Sequence, residues 1–170
     1  MTNAPTPETI RCLEEGKIDF GVVTTPFSSH GAIHSTEVKP IDNVFIAGSS
    51  FEELKGKELD YSILCDLPCI FLEKNTSTRL FMDQFLSQKG IELKPEFELA
   101  TSDMIVQFAK RNMGVGCVME GFAEEAIERG EVFAFSFKEK MPSRSICLVT
   151  GESGLMSMAG KHLLEMLAGK

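Results

Sequence analysis

The chain has 170 residues, 43% of them hydrophobic and 25% charged, with a formal net charge of −8. A chain of this length buries about 70% of the surface its unfolded form exposes and needs no staple. No apolar run approaches the ~20 residues of a membrane span, and the start is too polar for a secretory signal.

With 25 acidic residues against 17 basic ones, the chain is a poor nucleic-acid binder, because phosphate contact depends on clustered Lys and Arg. Lys110-Arg111 and Lys138-Glu-Lys140 are short and read as solvated surface. The cysteines, Cys12, Cys65, Cys69, Cys117 and Cys147, are odd in number and sit mostly in apolar runs. That favours buried thiols in a reducing compartment, with the cytoplasm as the default.

Thr6-Pro7-Glu8 predicts a helix start: a capping hydroxyl, proline in the first turn, and an acid at the positive end. This helix turns Ile10 and Leu13 inward and stops at Gly16. Ile18 to Val23 follows as an apolar strand, buried on both faces if its sheet is parallel. After Thr24-Thr25-Pro26, strands are predicted over Ile33 to Val38 and Val44 to Ala47, with Pro40 between them. Phe51 to Asp60 is charged and irregular or briefly helical.

Cys69 to Leu72 is a short buried strand. Asn75-Thr-Ser-Thr78 then caps a helix reaching about Gln88, with Leu80, Phe81, Phe85 and Leu86 inward and Gly90 as its stop. Glu96 to Leu99 is the next strand. Thr101, Ser102 and Asp103 offer oxygens to the free N–H groups of a helix whose inward face is Met104, Ile105, Phe108 and Ala109. Gly114 suits its left-handed close, and Gly116 permits close approach to the following strand, Cys117 to Met119. A helix over Gly121 to Arg129, an alternating strand over Val132 to Phe137, a strand over Ser145 to Thr150 and a helix over Leu155 to Leu167 complete the chain.

Strands alternating with helices at this spacing predict an α/β fold with a largely parallel sheet. In such sheets ligands sit beyond the carboxyl ends of the strands. Four polar clusters fall at such places: Asn3 to Thr6, Thr24-Thr25, Asn75 to Thr78, and Thr101 to Asp103. Hydroxyls and amides at helix N-termini hold an anion without a charged side chain.

No catalytic or metal signature stands beside them. His30, His34 and His162 are scattered, Cys65-x-x-x-Cys69 lacks the usual two-residue gap, and Gly114-x-Gly116 follows its helix rather than opening it. No cofactor is implied. Taken alone, Leu99 to Glu120 is an ordinary strand-helix-strand unit with a good cap.

The ensemble is more specific. Leu13-Glu-Glu-Gly-Lys-Ile-Asp-Phe-Gly-Val-Val23 resembles a motif of the effector-binding domain in LysR-type transcriptional regulators. Asn75-Thr-Ser-Thr-Arg-Leu-Phe-Met-Asp83 resembles that family's polar helix start in its second lobe, and Thr101-Ser-Asp followed by Phe108 to Met119, with its Gly-Val-Gly, resembles a further segment. Order and spacing match over nearly the whole chain.

The resemblance implies two Rossmann-like lobes of periplasmic-binding-protein type II kind, joined by two crossover strands. Lobe one would take residues 1–42 plus 146–170, and lobe two 43–145. It implies that Thr6, Thr24, Thr25, Asn75, Thr76, Ser77, Thr101 and Ser102 face a small-molecule effector, often a carboxylate or inorganic anion. It also implies a homo-oligomer, a dimer or in the full-length protein a tetramer, with promoter DNA bound only through a winged helix-turn-helix domain. Relative to the family pattern, that domain and the first strand and helix of lobe one are missing, and Glu120 stands where many members have proline. An enzyme, a solute-binding protein or a bare interaction module on the same scaffold remain the alternatives.

Overall fold

A computed structural model of the chain describes residues 4–31, 33–151, 158, 161–162 and 165–166. Asn3 and most of the helix predicted over 155–167 lie outside the described residues. The chain divides into two compact units, Met1–Pro40 with Arg144–Lys170, and Ile41–Ser143.

In the first unit, helix α1 (Thr6–Glu14) buries Ile10 and Leu13 against strands β1 (Phe20–Thr24) and β10 (Arg144–Gly151). β1 and β10 pair antiparallel, Phe20 opposite Thr150 and Thr24 opposite Ile146. The expectation of a strand buried on both faces fails here. The β1–β10 pair is antiparallel, and among the described residues α1 and Ile33 pack on the face of Val23, which is buried, while Val22 on the other face is 55% exposed. The third strand of this sheet, β2 (Ile33–Ile41), is largely exposed and contains Pro40. A proline is tolerated in an edge strand, where one side of the backbone needs no ladder partner.

The second unit is built on a five-stranded sheet with the order β6-β5-β7-β3-β8: β3 (Asn43–Ala47), β5 (Cys69–Leu72), β6 (Phe97–Leu99), β7 (Val115–Met119) and β8 (Phe133–Ala134). A two-residue strand β4 (Glu58–Leu59) and β9 (Ser136–Phe137) form a separate parallel pair. β5 runs parallel to both β6 and β7, whereas β3 is antiparallel to β7 and β8. The sheet is therefore parallel only over three strands, and the first unit's described pairing is antiparallel. Expecting a largely parallel sheet missed the strands that do not follow a helical crossover.

Alternation explains why these apolar runs are continuous. Phe45, Ala47, Cys69, Phe71, Val115 and Cys117 enter one core with Met82, Phe85 and Leu86 of helix α2 (Ser77–Gln88). Ile46, Ile70, Leu72 and Val118 enter another, with Ile105, Val106 and Ala109 of helix α3 (Ser102–Lys110) and Ala123 and Ala126 of helix α4 (Glu120–Glu128). Two facing residues differ from expectation: Leu80 and Met104 are 41% and 42% exposed, and Met82 and Val106 are buried instead. Each helix is rotated slightly from the face that hydropathy alone selects.

Glycine and asparagine set the close contacts. Asn112, not Gly114, takes the left-handed position after α3, with φ 61°. Its Oδ1 accepts from the Ser50 N–H at 2.8 Å, and its Nδ2 donates to the Ser49 hydroxyl at 3.4 Å. Gly114 has φ 154°, and a Cβ there would lie 2.5 Å from the Pro68 carbonyl oxygen, which already accepts from the Val115 N–H. Gly116 behaves as expected: a Cβ would collide with Ile105 Cγ2. The predicted strand over Val132 to Phe137 keeps its alternation, Phe133 and Phe135 buried. It breaks into β8 and β9, which pair with β3 and β4 respectively.

Candidate functional site

β5, β6 and β7 are parallel, so their carboxyl ends open on one edge of the second unit's sheet. There each strand hands over to a helix: β5 to α2, β6 to α3, β7 to α4. The first two strands are in register at their ends, Leu72 opposite Leu99, and the Glu73 N–H donates to the Leu99 carbonyl at 3.1 Å.

Thr76 caps α2, its hydroxyl accepting from the Arg79 N–H at 3.2 Å and donating to the Glu73 carbonyl at 3.0 Å. Thr101 caps α3 with a longer bond, 3.4 Å, from the Met104 N–H. An extended cap residue whose oxygen takes an N–H of the first turn is the standard solution to the unpaired donors of a helix start. Ser77 and Ser102, the first helical residues, are both buried, while Asn75 and Thr101 are exposed. The structure thus brings Asn75, Thr76, Ser77, Thr101 and Ser102 to one edge. Two helix N-termini there add partial positive charge with neutral hydroxyl linings.

The remaining predicted residues belong to the first unit. Thr6 is the first residue of α1 and not its cap. That place is taken by Pro5, which forms no side-chain capping bond. The expected capping hydroxyl at this start is thereby corrected: Pro5, with φ −57° and ψ 152°, holds the cap position and has no hydroxyl to offer. Thr24 ends β1. Thr25 is tied to β10: its N–H donates to the Ser145 carbonyl at 3.0 Å, its hydroxyl accepts from the Ser145 N–H at 2.9 Å, and its carbonyl accepts from Arg144 Nη1 at 2.9 Å. The Thr25–Pro26 bond is cis.

One residue that carries this edge was not singled out from sequence. Arg79 is 3% exposed. Its Nε–H is shared by both Asp83 oxygens, each at 2.9 Å, and Nη1 donates to the Leu72 carbonyl at 2.9 Å and to Glu98 Oε1 at 2.8 Å. Its guanidinium carbon sits 5.6 Å from the centre of the Phe71 ring. The i,i+4 spacing to Asp83 was the available signal, but such pairs are usually surface decoration.

The α4 start differs. It has no side-chain cap and gives the Glu120 N–H to the Asp42 carbonyl at 3.0 Å; like α3 with Asp103, it carries an acid, Glu120, in its first turn. Beside it, the Asp42 carboxylate accepts from Lys140 Nζ at 2.7 Å and from the Ser143 hydroxyl at 2.5 Å. These bonds hold its pKa below the ordinary aspartate value. Next to this corner lies a cavity of about 260 Å³ bordered by Asp42, Glu120, Tyr61 and Phe137.

Among the described residues, no three His, Cys, Asp or Glu side chains come together as a metal site, and no helix is long and apolar enough to cross a membrane. Cys69, Cys117 and Cys147 are buried, whereas Cys65 is exposed. Burial pushes the Cys69 thiol up to about 12, which leaves it protonated and unreactive at neutral pH.

The family model of the LysR substrate binding domain matches residues 1–170, the whole sequence. The chain belongs to this family. Its fold is the two-lobe α/β fold of periplasmic-binding-protein type II kind, shared with solved LysR regulatory domains. The regulatory domain of CcmR from Synechocystis PCC6803, in complex with 2-PG, superposes with a TM-score of 0.85 at 18% identity, over 98% of this chain and 79% of that one. The effector binding domain of QuiR in complex with shikimate gives 0.82 at 16% identity, over 96% and 77%. A sulfate-bound regulatory domain of an OxyR2 mutant from Vibrio vulnificus gives 0.73 at 17%, over 98% and 78%. At these identities the likeness is one of fold. No curated protein matches in sequence.

Proposed function

We propose that this LysR substrate binding domain is the ligand-sensing part of a transcriptional regulator, and that its effector is a small anion or carboxylate. The observation that carries the reading is the pair of threonine-capped helix starts, Thr76-Ser77 and Thr101-Ser102, side by side on the edge where β5 and β6 end. Helix N-termini with hydroxyl linings complement negative charge and do not demand a cation. That folds of this kind hold shikimate in QuiR and sulfate in the OxyR2 domain supports the same chemistry. Thr6, Thr24 and Thr25 are proposed as the first unit's contribution, with Asn75 a further donor.

In this reading the protein senses and does not convert its ligand, acts in the cytoplasm, forms a homodimer, and reaches promoter DNA through a separate helix-turn-helix domain. A bound effector regulates only if it favours one conformational state over another.

Thermal unfolding with sulfate, phosphate and a panel of small carboxylates tests the proposal. A true effector at a hundredfold its Kd stabilises by about 2.7 kcal/mol. That gain should be lost in Thr101→Val and Ser102→Ala. Stabilisation by apolar metabolites and by none of the anions would overturn the anion reading.

A further inference from the structure

We infer that Arg79 is the positioning residue of this edge, fixing the α2 and α3 N-termini relative to each other and so setting effector affinity without touching the effector. The inference rests on the reading that these termini hold the ligand.

Its first support is connectivity. A single guanidinium reaches three elements: the last carbonyl of β5 at Leu72, Glu98 on β6, and Asp83 one turn along α2. β6 leads directly into the Thr101 cap and β5 into the Thr76 cap, so Arg79 ties together both strands behind the two helix starts. The second support is burial. At 3% exposed and packed over Phe71, Arg79 has no surface to offer a ligand. The third is charge. Its one positive charge faces two carboxylates, 46% and 38% exposed, so it is spent within the cluster and is no anion receptor itself. Only a planar fork can serve these acceptors from one buried position, and a lysine ammonium lacks that geometry.

The test compares Arg79→Lys with the wild-type chain by residue-resolved hydrogen exchange and by titration with sulfate and small carboxylates. The diagnostic amides are Glu73, bonded to the Leu99 carbonyl, Leu80, bonded to the Thr76 carbonyl, and Met104 and Ile105, bonded to Thr101. Arg79→Lys should raise exchange at these four by about tenfold, as loss of a charge-assisted bond implies, and leave α4 and β3 unchanged. Affinity for the bound anion should fall by about as much. Phe45→Leu, a core change in β3, serves as the control: it should lower Tm and leave affinity within about twofold.

Exchange that rises uniformly across the second unit, or loosened helix starts with unchanged affinity, would overturn the inference. If the wild-type chain binds none of the anions, the proposed effector chemistry fails. The exchange pattern then still decides, alone, whether Arg79 fixes the two helix starts.

Discussion

Three helices open on one edge of the second unit's sheet, and their side chains make that edge two-sided. α2 and α3 begin with threonine caps and buried serines, over the Arg79 tie. α4 begins with Met119 and Glu120, its first N–H already given to the Asp42 carbonyl. The backbone dipoles are alike at all three starts. What differs is that threonine hydroxyls cap α2 and α3, whereas α4 has no side-chain cap and gives its first N–H to a neighbouring carbonyl; an acid stands in the first turn of both α3 and α4, Asp103 and Glu120. Helix starts are therefore not chemically alike, and it is on the β5–β6 side, with its two threonine caps, that the proposal of a negative ligand rests.

The largest expected effect comes from breaking the frame that holds the two sides together. Gly114→Ala places a methyl against the Pro68 carbonyl at a φ of 154°, where β7 begins beside β5. Strain and overpacking together should destabilise the chain by about 3 kcal/mol or more in urea unfolding. A loss under ~1 kcal/mol would mean that β7 can shift freely. Arg79→Met should cost about 2 kcal/mol. It removes the buried guanidinium bond to the Leu72 carbonyl, while Asp83 and Glu98, both partly exposed, regain water.

Caps come next. Thr76→Ala and Thr101→Ala should each cost about 1 kcal/mol, with Thr101 the smaller of the two because its bond is longer. Glu120→Ala should cost no more than about 0.5 kcal/mol, since only an exposed dipole contact is lost. Equal losses at all three would erase the difference between the α4 start and the other two.

The smallest effect is pH-linked and belongs to the α4 side. The Asp42 carboxyl is held below its ordinary 3.8 by Lys140 and Ser143. A depressed folded pKa gives stability that is present above 3.8 and lost as pH falls through the folded value. The Tm difference between wild type and Asp42→Asn should accordingly shrink toward zero on acidification below 3.8 and stay constant near neutrality.

Much of this organisation was legible in the residues. The starts at Thr76 and Thr101 follow from hydroxyls placed just before apolar periodicity, and Gly116 from a small residue where a strand must meet a helix. What sequence could not show was which of two local solutions the chain takes. Asn112 and Gly114 both suit the end of α3, and only the close approach of Pro68 explains why glycine stands at the second position. Arg79 looks like a solvated charge until β6 brings Glu98 beside it from 19 residues away. Val132 to Phe137 alternates as one strand should. Its division between β3 and β4 depends on partners far along the chain, which periodicity does not encode.

Tyr61 is the only tyrosine, and there is no tryptophan. Its ring stacks on Phe137 with centroids 4.0 Å apart, its hydroxyl donates to the Glu139 carbonyl at 3.0 Å, and burial pushes its pKa up to about 12. Because it lies in the second unit, all of the chain's indole- and phenol-type ultraviolet emission arises from that unit and none from the first. Tyrosine fluorescence therefore follows the melting of the second unit alone, whereas far-ultraviolet dichroism follows both. The gap between the two curves measures directly how far the two halves of the chain unfold as one.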